Sequence, residues 1–330
     1  MKRASERRAD QAGFALLIVL WIFVVLFAVG AEFAQGMRDG AAAAKNFADE
    51  TQSYYLATAA ANRTFYRALR ARDEALLGAT PEEMGEEVEE PLVPTDGEWH
   101  REEMWGAPVW VRVTDEGAKV PLNTGDEHLL RQVLGNLGLG PDEAADLAAS
   151  MLDWVDRDDE HRIGGAESDY YRSLPRPYLA KNAPFDSLEE LRLVKGVTPE
   201  LYEGGGSFPV GLAQVFTVFN RTGTLNVRGM PPPVLRAVFG LDEEELAQVL
   251  ETREFSAPAL LATLEAKLAD PTLAELLVDE PPAVLRVDAQ ARLPSARVGS
   301  RIGAVIDVGE SNEGVYVLRW MDSLPIEDVS

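Results

Sequence analysis

No cysteine occurs anywhere in the 330 residues. Disulfides, thiol nucleophiles and thiolate metal sites are therefore excluded together, and the redox compartment stays open. Histidine is almost as scarce: His100, His128 and His161 are the only three, and none stands in a zinc-ligand or nucleophile pattern. No glycine-rich phosphate loop follows a strand pattern either, so the chain reads as non-enzymatic. Positive charge is the third shortage, with 31 Lys and Arg against 55 Asp and Glu and a formal charge of -24. A body that acidic repels nucleic acid and anionic surfaces and suits cations or basic partners. No nucleic-acid partner is expected.

What is present begins with an uninterrupted apolar run of 18 residues, Phe14 to Ala31. At 1.5 Å per residue such a run spans about 27 Å, close to the hydrocarbon thickness of a bilayer. Lys2, Arg3, Arg7 and Arg8 precede it and Glu32 follows it, which puts the leader in the cytoplasm and the body outside. A cleaved secretory signal, with Val29-Gly-Ala31 as its site, and a plain anchor both accommodate the run. A third reading turns on Gly13. Basic leader, glycine, then Phe-Ala-Leu-Leu-Ile resembles the type III signal of type IV pilins and type II secretion pseudopilins. That resemblance implies a cut by prepilin peptidase between Gly13 and Phe14, with the apolar helix kept on the mature protein. The family's glutamate at the fifth mature position is replaced here by Ile18, a departure characteristic of the K-type minor pseudopilins.

The helix is expected to continue to Arg72, because Ala41 to Arg72 contains neither Pro nor Gly and Phe47, Tyr54, Ala61 and Ala68 recur every seven residues. Residues 78–97, rich in Gly, Pro and Glu, read as an exposed connection. "PVWVRVTDEGAKVPLNT", from Pro108 to Thr124, alternates Val109, Val111 and Val113 with Trp110 and Arg112 and turns at Asp115-Glu-Gly117, a hairpin signal. Three more strand-like runs occupy the far end of the chain. Between them, residues 121–280 read as helical, with Pro141 and Pro199 at first turns and Ser187 and Glu190 as a capping box. "LNTGDEHLLRQVLGNLGL" and "LNVRGMPPPVLRAVFGL" echo each other and suggest two related helical units.

The densest chemistry lies in "LDWVDRDDEHRIGGAESDYY", where Asp153, Asp156, Asp158, Asp159, Glu160, Glu167 and Asp169 surround Gly164-Gly165. Hard oxygen donors at this density suit calcium. Counted from Asp156 the acids fall as in an EF-hand loop, yet His161 stands where that loop needs glycine. A solvated acidic turn, with Arg157, Arg162 and Arg172 as counter-ions, is the alternative. "LEELRLVKGVTPELYE" resembles a helix-hairpin-helix, the phosphate-gripping module of membrane-anchored competence DNA receptors. Its hairpin, Lys195-Gly196-Val197-Thr198, lacks the usual second glycine and stands in acidic surroundings.

"LNTGDEHLLRQVL", "DWVDRDDEHRIGGAESDYY", "NAPFDSLEELRLVKGVTPELY" and "TLNVRGMPPPVLRAVFGL" occur in an order similar to that of general secretion pathway protein K, the K-type minor pseudopilin of type II secretion. The resemblance implies an α+β fold: a pilin-like long N-terminal helix on an antiparallel sheet, with a large inserted all-α domain that binds calcium. It divides the chain into a leader (1–13), a transmembrane and assembly helix (14–35), the first part of the pilin-like core (36–120), the insert (121–280) and C-terminal strands (281–330). The expected calcium ligands are Asp156, Asp158, Asp159, Glu167 and Asp169, which bracket the Gly-Gly turn and match the family segment. Implied too are N-methylation of Phe14, an inner-membrane location with the body in the periplasm, and I-type and J-type minor pseudopilins, other pseudopilins, the assembly platform and prepilin peptidase as partners. The implied role is to cap the pseudopilus tip and help start its assembly. A type IV minor pilin would share the signal and helix but not the acidic helical insert.

Overall fold

The structure, a computed structural model, describes residues 2–77, 94–294, 296–309 and 316–329. Most of the expected connection at 78–97 lies outside the described residues. A helix α1 (Lys2–Leu77) opens the chain, and the expected cut between Gly13 and Phe14 falls within it. At the standard rise its 76 residues extend about 110 Å. Its apolar side chains from Leu16 to Phe33 stand exposed, and it is long and apolar enough to cross a membrane.

The elements that follow are β1 (His100–Met104), β2 (Ala107–Asp115), β3 (Val120–Pro121), α2 (Glu127–Asn136), α3 (Pro141–Val155), α4 (Ser168–Arg172), α5 (Pro199–Glu203), α6 (Leu212–Val215), β4 (Phe216–Thr217) and β5 (Leu225–Asn226). Then come α7 (Pro232–Phe239), α8 (Glu243–Phe255), α9 (Ala257–Glu265), β6 (Leu277–Val278), β7 (Val284–Ala291), β8 (Ser300–Asp307) and β9 (Tyr316–Met321). One antiparallel sheet has the order β1-β2-β7-β8-β9. Since β2 and β7 are neighbours in it, everything from β3 to β6 is an insertion between two adjacent strands. This is the α+β arrangement expected: a long helix, an antiparallel sheet and a helical insert.

Two apolar cores result. In the first, Leu56, Ala57, Ala60, Ala61, Phe65 and Ala68 of α1 pack on Val109, Val111, Val287, Ala289, Ile302 and Ala304 of the sheet. Small residues on the helix stripe let it lie close to the strands, and Ser53 and Thr64 return their hydroxyls to the carbonyls of Asp49 and Ala60. Phe47, expected on this face, is exposed; the buried stripe begins at Ser53, where α1 reaches the sheet. The second core lies wholly within the insert and is built around Leu130, Leu134, Met151, Trp154, Phe216 and Leu235.

The hairpin differs from expectation. Asp115 does start a turn, accepting from the Gly117 N–H at 2.8 Å, but that turn leads out of the sheet into the insert. The partner of β2 is instead β1, reached through Trp105 and Gly106, both at positive φ (50° and 76°). Tryptophan there is a poor advertisement for a tight primed turn, so the signal is weak in the residues. "SLEELRLV" also departs from expectation: Leu188–Leu193 is a 3-10 helix, and of the expected capping box the Glu190 carboxylate accepts from the Ser187 N–H at 3.2 Å while the Ser187 hydroxyl makes no capping bond.

The two echoing units prove to be built alike. Asn123 donates to the Phe185 carbonyl and accepts from its N–H (3.1 and 2.7 Å). Asn226 does the same with Glu280 (2.8 and 3.4 Å). Each asparagine follows or ends a short parallel strand pair, β3 with β4 and β5 with β6, and each precedes a helix, α2 or α7. The helices pack together, Asn136 and Gln132 of α2 donating to carbonyls of Ala237 and Val238 on α7.

A candidate metal centre at the end of helix α3

Helix α3 begins with Pro141 at its first turn and with Glu143 accepting from the Gly140 N–H. Its buried face carries Leu147, Ala148, Met151 and Trp154. Asp153 lies on that face, fully buried, and Asp156 caps the end. Two carboxylates at a helix C-terminus oppose the macrodipole and call for a counter-charge.

The loop after α3 brings a third acid back to them. Glu167, at the head of α4, is 1% exposed, and ligand atoms of Asp153, Asp156 and Glu167 lie within 4.8 Å of one another. Glycines permit this return. A Cβ on Gly165 would stand 2.0 Å from Asp153 Oδ2, and one on Gly164, whose φ is +82°, would stand 1.9 Å from Asp146 Oδ1. Lys195 Nζ then ties the turn down, donating to the carbonyls of Gly164 and Gly165 at 2.8 and 3.1 Å.

The charges are only partly balanced. Arg162 donates through Nη1 to Asp153 at 2.7 Å and also to Asp156. Among the described residues nothing donates to either oxygen of Glu167 or to Asp156 Oδ1. Burial, followed by the charges of Asp153, Asp156 and Asp159, pushes the Glu167 carboxyl up to about 7, against a smaller opposing pull from His161. A buried carboxylate with both oxygens lacking donors is the environment a bound cation would satisfy. The donor set, hard carboxylate oxygen without nitrogen or sulfur, matches calcium better than zinc.

Of the five expected ligands, the structure brings Asp156 and Glu167 together. Asp158 accepts from the Glu160 N–H at 2.9 Å, Asp159 accepts from Asn182 Nδ2 at 3.3 Å, and Asp169 pairs with His161 at 2.9 Å. These three stand outside the close group. Asp153 takes part in it, although sequence reasoning counted it among the acids without choosing it. Its signal was helical: Asp153 and Asp156 are three apart, on one face of α3. Asn182, at φ 49°, has a buried Oδ1 with no donor among the described residues and was not foreseen.

A long helix with an apolar first half, a sheet packed on its second half and a helical insert between neighbouring strands define an α+β protein. The fold is that of a chain in a solved GspK–GspI–GspJ complex from the enterotoxigenic Escherichia coli type 2 secretion system, with a TM-score of 0.56 and 17% identity over 83% of this chain and 98% of that one. The particular resemblance is to type II secretion system protein K, whose family model matches residues 114–204. Similar proteins are the type II secretion system proteins K of Klebsiella pneumoniae, 37% identical over 92 residues (28% of this chain, 27% of that one), and of Pectobacterium carotovorum, 39% identical over 74 residues (22% and 23%). The aligned segments span about a quarter of these curated relatives, and the candidate metal centre falls inside the residues matched by the family model.

Proposed function

We propose that this chain is a K-type minor pseudopilin of type II secretion. It is cut after Gly13 by prepilin peptidase, methylated at Phe14, held in the inner membrane by residues 14–35 and extended into the periplasm. The observation that carries the proposal is the placement of the protein K match, residues 114–204, as the first part of an insert in a sheet whose packing helix is also an apolar membrane-length helix. In this role the protein assembles with I-type and J-type minor pseudopilins, meets the other pseudopilins and the assembly platform, caps the tip and helps start the pseudopilus. The insert supports a terminal place, since a domain of that bulk projecting between two strands would crowd a helical shaft. Ile18 supports it too, because a tip subunit has no subunit ahead of it whose terminal amine must be neutralised.

Calcium belongs to the same reading. Asp153, Asp156 and Glu167 would hold it, with Arg162 sharing the charge of the two aspartates, and the ion would supply positive charge to a buried acidic group. By binding the folded loop and not the unfolded one it would stabilise the insert.

The test is the intact mass and N-terminal sequence of the protein recovered from membranes of cells that contain prepilin peptidase. A start at Phe14, one methyl group heavier, is expected. A start at Glu32, or an uncut Met1, would overturn the proposal.

A further inference from the structure

Beside α3 lies a cavity of about 300 Å³. Leu139, Leu147, Leu201 and Phe208 form its apolar walls, and the hairpin residues Gly196 and Thr198 close one side. Gly196 has φ +90°, and a Cβ on it would stand 3.5 Å from Leu147 Cδ1. Glu143 and Asp146, both exposed, stand at the mouth. The Glu143 carboxylate accepts from the Gly140 N–H, and the Asp146 main-chain carbonyl accepts from Ser150 Oγ, but among the described residues the Asp146 carboxylate has neither a hydrogen bond nor an ion pair. The basic residue lining the cavity, Lys195, is turned to the Gly164 and Gly165 carbonyls. Beside Asp146, the glycine turn presents Ile163 with 99% of its surface exposed.

An apolar slot with a carboxylate lacking a partner at its mouth is complementary to a side chain with an apolar stem and a cationic end. A neutral apolar group would leave Asp146 unanswered, and an anion would be repelled by it and by Glu143. The exposed Ile163, next to Gly164 in the chain, offers an apolar side chain that a partner's apolar residue would cover. We infer that this cavity is a docking site for a partner polypeptide that presents an arginine or lysine between apolar residues. The Lys195–Thr198 hairpin, whose shape resembles a phosphate-gripping module, would act here as one wall of a peptide site. The inference holds whether or not the chain serves secretion.

The probe is acetyl-Leu-Arg-Leu-amide, titrated into the full-length chain in detergent micelles with labelled leucine and methionine methyls. The controls are the isosteric citrulline peptide and the glutamate peptide. Expected are shifts at Leu139, Leu147 and Leu201, with the citrulline peptide at least about tenfold weaker, or about 1.4 kcal/mol, and the glutamate peptide weaker still. Asp146→Asn should remove the preference for arginine while leaving the Met151 methyl, in the insert core, unmoved. Phe208→Ala should weaken all three peptides. Silence of these methyls at millimolar arginine peptide, an equal response to citrulline, a preference that survives Asp146→Asn, or shifts confined to the apolar half of α1 would each overturn the inference.

Discussion

Glu167 is the residue at which burial and charge conflict most. Among the described residues both its oxygens lack donors, and burial and the charges of Asp153 and Asp156 act on it. Glu167→Gln keeps the shape and removes the charge, so the calcium-free protein should melt no lower than the wild type. Its calcium response should shrink, however. At a concentration 100 times the dissociation constant a bound ion stabilises by about 2.7 kcal/mol, and calorimetry in calcium and in chelator measures how much is lost. Asp169→Asn, which removes a surface partner of His161, should leave the calcium response intact. Gly165→Ala is a harsher change, since its Cβ would meet Asp153 Oδ2 at 2.0 Å. We expect a loss of about 2–4 kcal/mol in unfolding free energy, measured by urea titration. The acidic segment and its glycine pair were legible in the sequence. Which acids converge was not, because the convergence depends on a tight Gly-Gly return that linear spacing does not encode.

Among the elements, the sheet face away from α1 shows how charge can be packed. Asp288 on β7 is 1% exposed; burial alone would raise its pKa, but Arg286, Arg301 and Arg112 hold it down at about 2. A C-terminal strap closes over this face. Glu327 exchanges hydrogen bonds with Gln290 (3.0 and 3.2 Å), and its carboxylate accepts from Trp99 and Arg112 (2.8 and 3.0 Å). Glu327→Ala should therefore open the strap, destabilise the sheet by about 1–3 kcal/mol and speed hydrogen exchange at its amide, read by mass spectrometry. An unchanged exchange rate would show that the strap is held from elsewhere. None of this lid was foreseen, since residues after the last strand carry no periodic signal. The strands were read more readily: Val109, Val111 and Val113 alternate as a half-buried strand must, but β1 and its turn at Trp105 went unread, and the turn at Asp115 was assigned to a hairpin.

At the scale of the whole molecule, the two cores are joined where the insert leaves and re-enters the sheet. Asp115 ends β2, Asn226 ends β5 and Glu280 precedes β7; Asn226 donates to Asp115 Oδ2 at 2.6 Å and to the Glu280 carbonyl at 2.8 Å. One side chain of the insert thus ties together the two crossings between sheet and insert. Burial raises the Asp115 carboxyl to about 6, against the opposing hydrogen bonds from Gly117 and Asn226. A carboxyl raised in the folded state favours folding when protonated. Its contribution is complete below the ordinary value of 3.8 and is lost as pH climbs through about 6. Asp288 runs the other way: its contribution is complete above 3.8 and disappears as pH falls through about 2. By linkage the first is worth about 3 kcal/mol and the second about 2. The stability of the calcium-saturated protein should therefore fall toward pH 2 and fall again between about pH 4 and pH 7. Asp115→Asn should flatten the upper slope, whatever it does to the midpoint at any single pH, and leave the acid limb unchanged. Thermal midpoints taken across that range for both proteins decide the matter: an upper slope that survives the substitution would remove Asp115, and the joint it forms, from control of the protein's stability.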